Sequence, residues 1–532
     1  MRRLPLVLVL AVALALTAGH AYSQQASTGA IAGVVLGPDG AQLPGVTVAV
    51  VRPDGTVVRV VSGDHGSYRV SNLPPGVFEV RPDLTGFVGQ AAHAEVTAGR
   101  VTPLDLPMGL AGLAEEVNVI GSTPRGSVEA PRLSESGARD VGVALSGIAG
   151  VWKVRRAGIA SDVVLRGYQG ENLNVLIDGA RLYGACPNNM DHTSFHVDFA
   201  EVDRVDVARG PFDMKNQGGL GGAINIVTRR SAPGFHASPR LGVGSFGFVN
   251  PSATVSLGNE RVAVLAGYSY RASDPYTDGG GREFTELANY KASVSGRKAF
   301  EVNTAWGRVD FSPAASHAVQ LQYTWQDAGL VLYPYLQMDA LYDRASRVNL
   351  GYDKQSGVGP LQALRSQAYY TKVSHWMTDE FRVSSAPATA RGYSMGTMAR
   401  TETYGGKIEA ALRKGIAGIE VYRRGWETTT ELMMRKYQPQ YSIPDVALTS
   451  FGFYGEFSQP VSDALQIDLG GRVDSVDSEA DPSKAATLLY RAYHGTQETS
   501  VTDTYPSGKA RLAWRALPQL TISGGIGRTV RV

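Results

Sequence analysis

Two residues of the sequence, Cys186 and Met190, carry sulfur atoms at a spacing that could serve one metal ion. Residues four apart share a face of a helical turn, and Pro187 is tolerated as the first residue of such a turn. Thiolate and thioether sulfurs are soft ligands that favour Cu(I) over hard cations. On its own, however, this pair is better explained as a small buried thiol beside a core methionine.

A second pair, His375 and Met377, changes that interpretation. The two are separated by one residue, and residues at that spacing lie on one face of a strand. Upstream of the pair, polar residues occupy the odd-numbered positions, as His375 and Met377 do, and apolar residues occupy the even-numbered ones. Val373 is the exception. The pair is therefore predicted to lie on the polar face of a strand, where it could complete a four-ligand soft site with the first pair. The polar set is Arg365, Gln367 and Thr371, and the apolar set is Leu364, Ala368, Tyr370 and Trp376.

Two histidines, His192 and His196, follow closely after Met190. Imidazole nitrogens are suitable ligands for copper, so both residues are possible extra ligands. The alternative is that they are polar residues of an exposed loop.

The composition excludes several classes of protein. The chain has 532 residues, more than one hydrophobic core needs, so several domains are expected. With 43% apolar and 19% charged residues, it is too polar for a bundle of membrane helices and unlike a disordered chain. A net charge of +2 gives no indication of nucleic-acid binding. The sequence has no nucleophile elbow and no metalloprotease motif, so an enzyme is not expected.

The N-terminus has the features of a secretory signal peptide over residues 1–23. Arg2 and Arg3 precede an apolar run from Leu4 to Ala18, and small residues follow it. No later stretch approaches the ~20 apolar residues that a spanning helix needs, so a mature chain that crosses a membrane must do so as a closed barrel. Cys186 is the only cysteine, and a lone thiol in an exported protein is expected to be reactive, intermolecular or ligand-binding.

Residues 29–107 alternate short valine-rich strands with Gly, Pro and Asp turns, for example at Gly37–Gly40 and Leu73–Gly76. Turns at this spacing predict a small β-sandwich. The order of strands and turns resembles the carboxypeptidase regulatory-like domain. No catalytic group stands out in this stretch, so an interaction or spacer role is expected.

Residues 111–123 form a linker with an acidic and then β-branched stretch. Such a stretch could pair as an added strand with the sheet edge of another protein, or it could be an ordinary strand that ends the sandwich. The residues concerned are Glu115, Glu116, Val117, Asn118 and Val119.

Residues 124–230 contain four ordered blocks, which are Val164–Gly167, Asn174–Gly179, Val202–Pro211 and Gly221–Thr228. Short strands with Gly-rich corners predict a compact domain that can fill a lumen. In this order the blocks resemble the plug domain of TonB-dependent receptors. The resemblance implies a location in the bacterial outer membrane and a TonB-type energy-transducing partner. It also implies that Glu115–Val119, directly before the plug, is the TonB box.

From residue 235 to 532, apolar and polar residues alternate, as Leu321, Tyr323 and Trp325 do with Gln322 and Thr324. This pattern is typical of a transmembrane strand with one face in lipid. The chain is therefore expected to be mainly β, with an antiparallel transmembrane barrel after the plug. Plugged transporters have about 22 strands, and at about 10 residues per strand the remaining residues supply about half of them. The barrel is therefore expected to be partial, in a chain that is truncated at its C-terminal end.

The candidate ligands also resemble those of a narrower group within this receptor family. Together with Gly210–Asp213 and Asn216–Gly218, the segments Cys186–Asp191 and His375–Met377 resemble the OprC/NosA-type copper receptors of the TonB-dependent family. That resemblance implies copper as the cargo, with Cu(I) favoured by the soft donors. The ligands that it implies are Cys186, Met190, His375 and Met377.

Two features depart from those copper receptors. The stretch His192–His196 stands where they usually have prolines, and the N-terminal domain is not a usual part of them. One alternative is therefore a TonB-dependent importer of a siderophore, a cobalamin or an oligosaccharide. Another is a truncated surface protein that transports nothing.

Overall fold

The computed structural model describes residues 28–37, 40–52, 56–84, 87–110, 125–129, 137–287, 289–355, 360–385, 394–433, 440–462, 464–517 and 520–531. The predicted signal peptide and the predicted TonB box, Glu115–Val119, lie outside these residues. The chain divides into two compact units, Met1–Val117 and Asn118–Val532. Within the described ranges, no helix has the length and apolarity to cross a membrane.

The first unit is a β domain with nine described strands. Their order is β3-β2-β5-β6-β9-β1-β4, with β7 beside β5 and β8 beside β1. Inward side chains form an apolar core that includes Ile31, Val48, Phe78 and Leu106, none more than 1% exposed. This confirms the predicted N-terminal β domain. The strands are β1 (Gly29–Leu36), β2 (Thr47–Val51), β3 (Val57–Val61), β4 (Ser67–Leu73), β5 (Gly76–Leu84), β6 (Phe87–Gly89), β7 (Ala92–Val96), β8 (Val101–Pro103) and β9 (Leu106–Leu110).

The second unit begins with the plug. One sheet has the order β10-β15-β16-β13-β14, and β11 and β12 form a hairpin. The sheet packs tightly at Gly222, whose φ is +137° and where a Cβ atom would lie 2.1 Å from the carbonyl oxygen of Ala208, so glycine is required there. The elements are β10 (Arg125–Glu129), α1 (Val141–Leu145), β11 (Val151–Arg155), β12 (Ser161–Leu165), β13 (Leu173–Ile177), β14 (Ala180–Arg181), β15 (Val202–Arg209) and β16 (Gly222–Thr228).

The rest of the second unit is a 13-stranded antiparallel sheet in which each strand pairs with the next. Short turns join strands at one end and longer connections, one of which contains α2 (Thr487–His494), join them at the other. In transmembrane barrels the longer connections are extracellular. The strands are β17 (Gly234–Gly244), β18 (Phe248–Gly258), β19 (Val262–Ser273), β20 (Phe300–Ala314), β21 (His317–Val331), β22 (Asp339–Gln355), β23 (Leu361–Thr378), β24 (Ser394–Leu412), β25 (Gly415–Met433), β26 (Gln440–Ser462), β27 (Leu465–Ala480), β28 (Ser500–Leu517) and β29 (Leu520–Arg528).

The 13-stranded sheet, β17 to β29, is called the wall below. Its strands have one apolar and one polar face, as predicted. On β21, Leu321 and Tyr323 are each 49% exposed, whereas Gln322 and Thr324 are 7% and 2% exposed. The apolar residues therefore form the outer surface, and the polar residues face the plug. Val373, the exception in the pattern of β23, is fully buried because it packs in the apolar core of the plug.

A buried carboxylate, Glu420 on β25, joins the plug to the wall. It lies 3.1 Å from Arg181 of the plug, and 2.7 Å and 3.4 Å from Arg472 and Lys407 of the wall. A second plug–wall pair joins Glu201 and Arg347 at 2.7 Å. Because buried charges are stable only when they are paired, the position of the plug against the wall depends on these contacts.

Replacing Glu420 by glutamine removes the charge that these three cations share. Breaking a buried ion pair costs about 3–5 kcal/mol, and Arg472 keeps Asp474 as a partner at 2.6 Å. The Glu420→Gln variant is therefore expected to lose about 3 kcal/mol of unfolding free energy, measured by denaturant unfolding in detergent micelles.

The matched control is Asp274→Asn in the long connection from β19 to β20. Asp274 pairs with Lys298 at 3.2 Å, and both side chains are exposed by more than a third. Exposed pairs contribute at most about 1 kcal/mol. Equal losses in the two variants would contradict a structural role for the buried network.

Candidate metal centre

The plug segment after β14 carries Cys186 and Met190. The Asn189 N–H donates to the Cys186 carbonyl oxygen at 2.9 Å, and Asn189 has a φ of +55°. This is a single hydrogen-bonded turn, because the left-handed backbone at Asn189 prevents the helical turn that the spacing predicts. Cys186 and Met190 nevertheless enter the same apolar cluster, where they are 5% and 1% exposed.

The carboxylate of Asp191 holds this turn in place. Its two oxygens accept hydrogen bonds from the backbone N–H groups of Ala185 at 2.6 Å and Cys186 at 3.0 Å. Asp191 is fully buried, so no water would replace it as the acceptor for these groups. The carboxylate therefore fixes the backbone from which the Cys186 thiol projects.

The wall supplies His375 and Met377 near the end of β23. Both side chains are buried, at 0% and 2% exposed, so they point inward as their parity predicts. The Sδ atom of Met377 lies 3.6 Å from the Sγ atom of Cys186. The fold therefore brings two sulfur atoms together across the boundary between plug and wall.

The His375 ring has one nitrogen in use and one free. Its Nδ1 lies 2.8 Å from Oδ2 of Asp343, and the ring interacts electrostatically with the Cys186 thiol. Among the described residues, the buried Nε2 has no partner of good hydrogen-bond geometry, and Cys186 is a group whose side chain approaches the ring closely enough to interact with it. Since buried polar atoms are nearly always paired, this nitrogen is available to a ligand.

Side chains of the wall hold the Cys186–Met190 segment by its backbone. The Tyr333 hydroxyl donates to the Met190 carbonyl at 3.0 Å, and the Trp426 indole N–H donates to the Ala185 carbonyl at 2.7 Å. The turn therefore has the wall on both sides, which fixes the position of Met190 as well as that of Cys186.

His192 and His196 are both buried, at 5% and 0% exposed, so the exposed-loop interpretation is wrong for both. The two ring nitrogens of His196 are occupied by the Asp191 carbonyl at 2.9 Å and by Oε1 of Gln326 at 3.1 Å. Neither nitrogen of His192 has a hydrogen-bond partner in the described part of the chain. Of the two possible extra ligands, only His192 keeps free donor atoms.

Asp191 and Asp343 are two site residues that were not predicted from the sequence. Ligand atoms of these two residues and of His375 lie within 4.8 Å of one another. Asp191 has a signal in the sequence, because it directly follows a candidate ligand. Asp343 has none, since it meets His375 only through the register that places them opposite each other on β22 and β23.

The donor atoms therefore form two layers. Cys186, Met377 and the free nitrogen of His375 offer soft or intermediate donors, and Met190 lies in the same cluster. Asp191 is engaged through both oxygens with the backbone of the turn. Asp343 is engaged through Oδ2 with His375, while its Oδ1 has no hydrogen-bond partner among the described residues. Such an arrangement suits a soft ion that is bound by the inner layer and supported by the outer one.

Family models match three parts of the chain. Residues 259–532 match the model described as TonB dependent receptor-like, beta-barrel, and this stretch is more than half of the 532 residues. The chain therefore belongs to the TonB-dependent receptor family and is a protein of the bacterial outer membrane. Residues 121–223 match the TonB-dependent Receptor Plug Domain, and residues 30–109 match the Carboxypeptidase regulatory-like domain.

Solved structures share this fold. The copper transporter OprC is 21% identical with a TM-score of 0.64, over 77% of this chain and 63% of that one. The hemophore receptor HasR of Serratia marcescens is 15% identical with a TM-score of 0.55, over 76% and 62%. The ferric yersiniabactin uptake receptor FyuA of Yersinia pestis is 13% identical with a TM-score of 0.55, over 75% and 63%. This chain thus spans a little under two thirds of each receptor.

Replacing Asp191 by alanine is expected to free the turn that carries Cys186. A hydrogen bond to a charged group contributes about 1.5–3 kcal/mol, so the population of open turns should rise about tenfold or more. Cys186 is the only cysteine, and the rate of its alkylation by a maleimide, followed by mass spectrometry, measures this opening.

The matched control is Asp203→Ala. Asp203 is also a plug carboxylate, but its side chain is 48% exposed. Its removal should leave the alkylation rate of Cys186 unchanged. An unchanged rate in Asp191→Ala would show that the carboxylate does not hold the turn.

Proposed function

We propose that this receptor binds copper as Cu(I) and carries it across the outer membrane. The observation that supports the proposal is the meeting of Cys186 Sγ and Met377 Sδ at 3.6 Å, beside an Nε2 of His375 that has no hydrogen-bond partner among the described residues. Thiolate and thioether donors select soft ions. Met190, buried in the same cluster, is the fourth ligand.

The burial of the site favours a bare ion over a bulky chelate. The four proposed ligands are at most 5% exposed. A siderophore, a cobalamin or an oligosaccharide could touch them only after the plug and wall had separated. The likeness to the copper transporter OprC supports the same cargo.

The position of the site suits capture from outside the cell. Met377 is one residue from the end of β23, and the longer connection from β23 to β24 follows it. Longer connections are extracellular in such barrels. Because the plug supplies two ligands and the wall supplies two, any motion of the plug would pull the site apart and release the ion.

The motion would come from a TonB-type partner that pulls on the segment Glu115–Val119. An extended segment can add to the sheet edge of another protein through backbone hydrogen bonds. Transport by this route requires no covalent chemistry from the receptor.

Replacing Cys186 by serine is the direct test of the copper site. The hydroxyl is a hard donor and a poor ligand for Cu(I), so the variant is expected to lose at least about a hundredfold in Cu(I) affinity, about 2.7 kcal/mol. Competition with a Cu(I) chelator under reducing conditions, together with metal analysis of the purified receptor, measures this loss. Met377→Leu is expected to weaken binding in the same assay.

Met398 provides the matched control for the methionine. It lies on the neighbouring strand β24, but its side chain is 46% exposed on the outer face. Met398→Leu should bind copper as the unchanged receptor does. Unchanged affinity in Cys186→Ser would reject copper and favour one of the larger cargoes.

Replacing Val117 by proline tests the partner segment separately. Proline lacks the backbone N–H that a paired strand donates, so capture of the receptor by the periplasmic domain of a TonB-type protein should fall. Val117→Thr keeps the N–H and a β-branched side chain and should be captured normally. Both variants should keep full copper affinity, and normal capture of Val117→Pro would place the partner segment elsewhere.

A further inference from the structure

We propose that Asp343 is a positioning residue for the copper site, and this inference rests on the function proposed above. Asp343 holds the imidazole of His375 in the tautomer that carries its hydrogen on Nδ1. The lone pair of Nε2 then points toward the sulfur ligands.

The first support is the geometry of the pair. Asp343 on β22 and His375 on β23 are directly opposite each other in the antiparallel register. Both side chains are fully buried, and Oδ2 of Asp343 lies 2.8 Å from Nδ1 of His375. Two paired strands therefore determine the orientation of the ring, with no loop between the carboxylate and the histidine.

The second support is the assignment of hydrogen atoms to the two ring nitrogens of His375. An ionised carboxylate only accepts hydrogen bonds, so Nδ1 must donate. In a neutral imidazole Nε2 is then the nitrogen with the lone pair, and this is the atom without a hydrogen-bond partner in the described part of the structure. Histidine ligands of metals commonly donate their other ring N–H to such a carboxylate.

The third support is the surroundings of Asp343. Its second oxygen, Oδ1, lies 3.5 Å from Nδ1 of His196, but that nitrogen is hydrogen-bonded to Gln326. Among the described residues Oδ1 has no hydrogen-bond partner. The hydrogen bond between Oδ2 and His375 is therefore the contact that orients the carboxylate.

The experiment compares two variants of the full-length receptor, Asp343→Asn and Asp343→Ala. In Asp343→Asn the amide has nearly the volume of the carboxylate, and its NH₂ group can take the place of Oδ2 beside His375. That NH₂ group donates to Nδ1 and drives the hydrogen to Nε2, which is the wrong tautomer for the metal. In Asp343→Ala neither tautomer is imposed, although a cavity is left.

The two variants are expected to rank in opposite orders in two measurements, Cu(I) affinity and thermal stability without copper. Cu(I) affinity, measured by chelator competition, should fall about 10- to 100-fold in Asp343→Asn and less in Asp343→Ala. Thermal stability without copper should be lower in Asp343→Ala, because alanine leaves the larger cavity. X-ray absorption of the copper-loaded Asp343→Asn receptor should lose the imidazole signal and keep the sulfur signal.

Asp468→Asn is the control for loss of a buried carboxylate. Because Glu201 helps to hold the plug against the wall, a wall carboxylate is the better choice. Asp468 on β27 is 2% exposed and accepts hydrogen bonds from Ser458 and Gln466 of the wall, so Asp468→Asn should keep both copper affinity and the imidazole signal.

Two results would overturn the role of Asp343. One is an Asp343→Asn receptor with unchanged affinity and an intact imidazole signal. The other is a pair of variants that lose affinity in proportion to their thermal stability. If Cys186→Ser abolishes binding in the same series, either result rejects only the positioning role. If Cys186→Ser binds copper normally, the proposed function itself fails.

Discussion

The constraint on which this structure depends is the pairing of backbone groups in a membrane. N–H and C=O groups that face hydrocarbon must be bonded within the protein, and strands β18 to β28 of the wall meet this demand by pairing with a neighbour on each side. A strand has two faces, so a wall with an apolar outer surface has a polar inner one. The inner surface must in turn be covered by polar partners. The plug supplies them, most clearly where Arg181 meets Glu420 and where Glu201 meets Arg347.

The candidate metal site lies at the same boundary between the plug and the wall. The plug brings Cys186 and Met190 on a turn, and the wall brings His375 and Met377 on a rigid strand. A ligand that binds only the closed arrangement stabilises it, so bound copper would hold the plug in its seat. Release then requires work on the plug, which is what an energy-transducing partner can supply.

Hard and soft groups have separate tasks around this site. The carboxylate of Asp191 fixes the backbone at Cys186, and that of Asp343 faces Nδ1 of His375. The soft atoms are left without strong partners among the described residues. A soft ion can therefore be selected by the inner layer, while the outer layer determines its geometry.

The sequence alone determined the β class, the order of domains and the family, because these depend on local patterns. Alternation of period two, turns rich in Gly and Pro, and the ordered plug blocks can all be read along the chain. It also named Cys186, Met190, His375 and Met377 as candidates, since their chemistry and spacing are local. The burial of His192 and His196 could not be read in this way, because it depends on the wall packed against them.

Only the tertiary structure decided which of these residues meet. Cys186 and Met377 are 191 residues apart, and their sulfur atoms come together because the plug is seated inside the wall. The contact between Asp343 and His375 could likewise not be predicted from the sequence, since a shift of one residue in the pairing of β22 and β23 would turn Asp343 away. The same packing explains Val373, whose inward side chain breaks the strand pattern in order to contact the plug core.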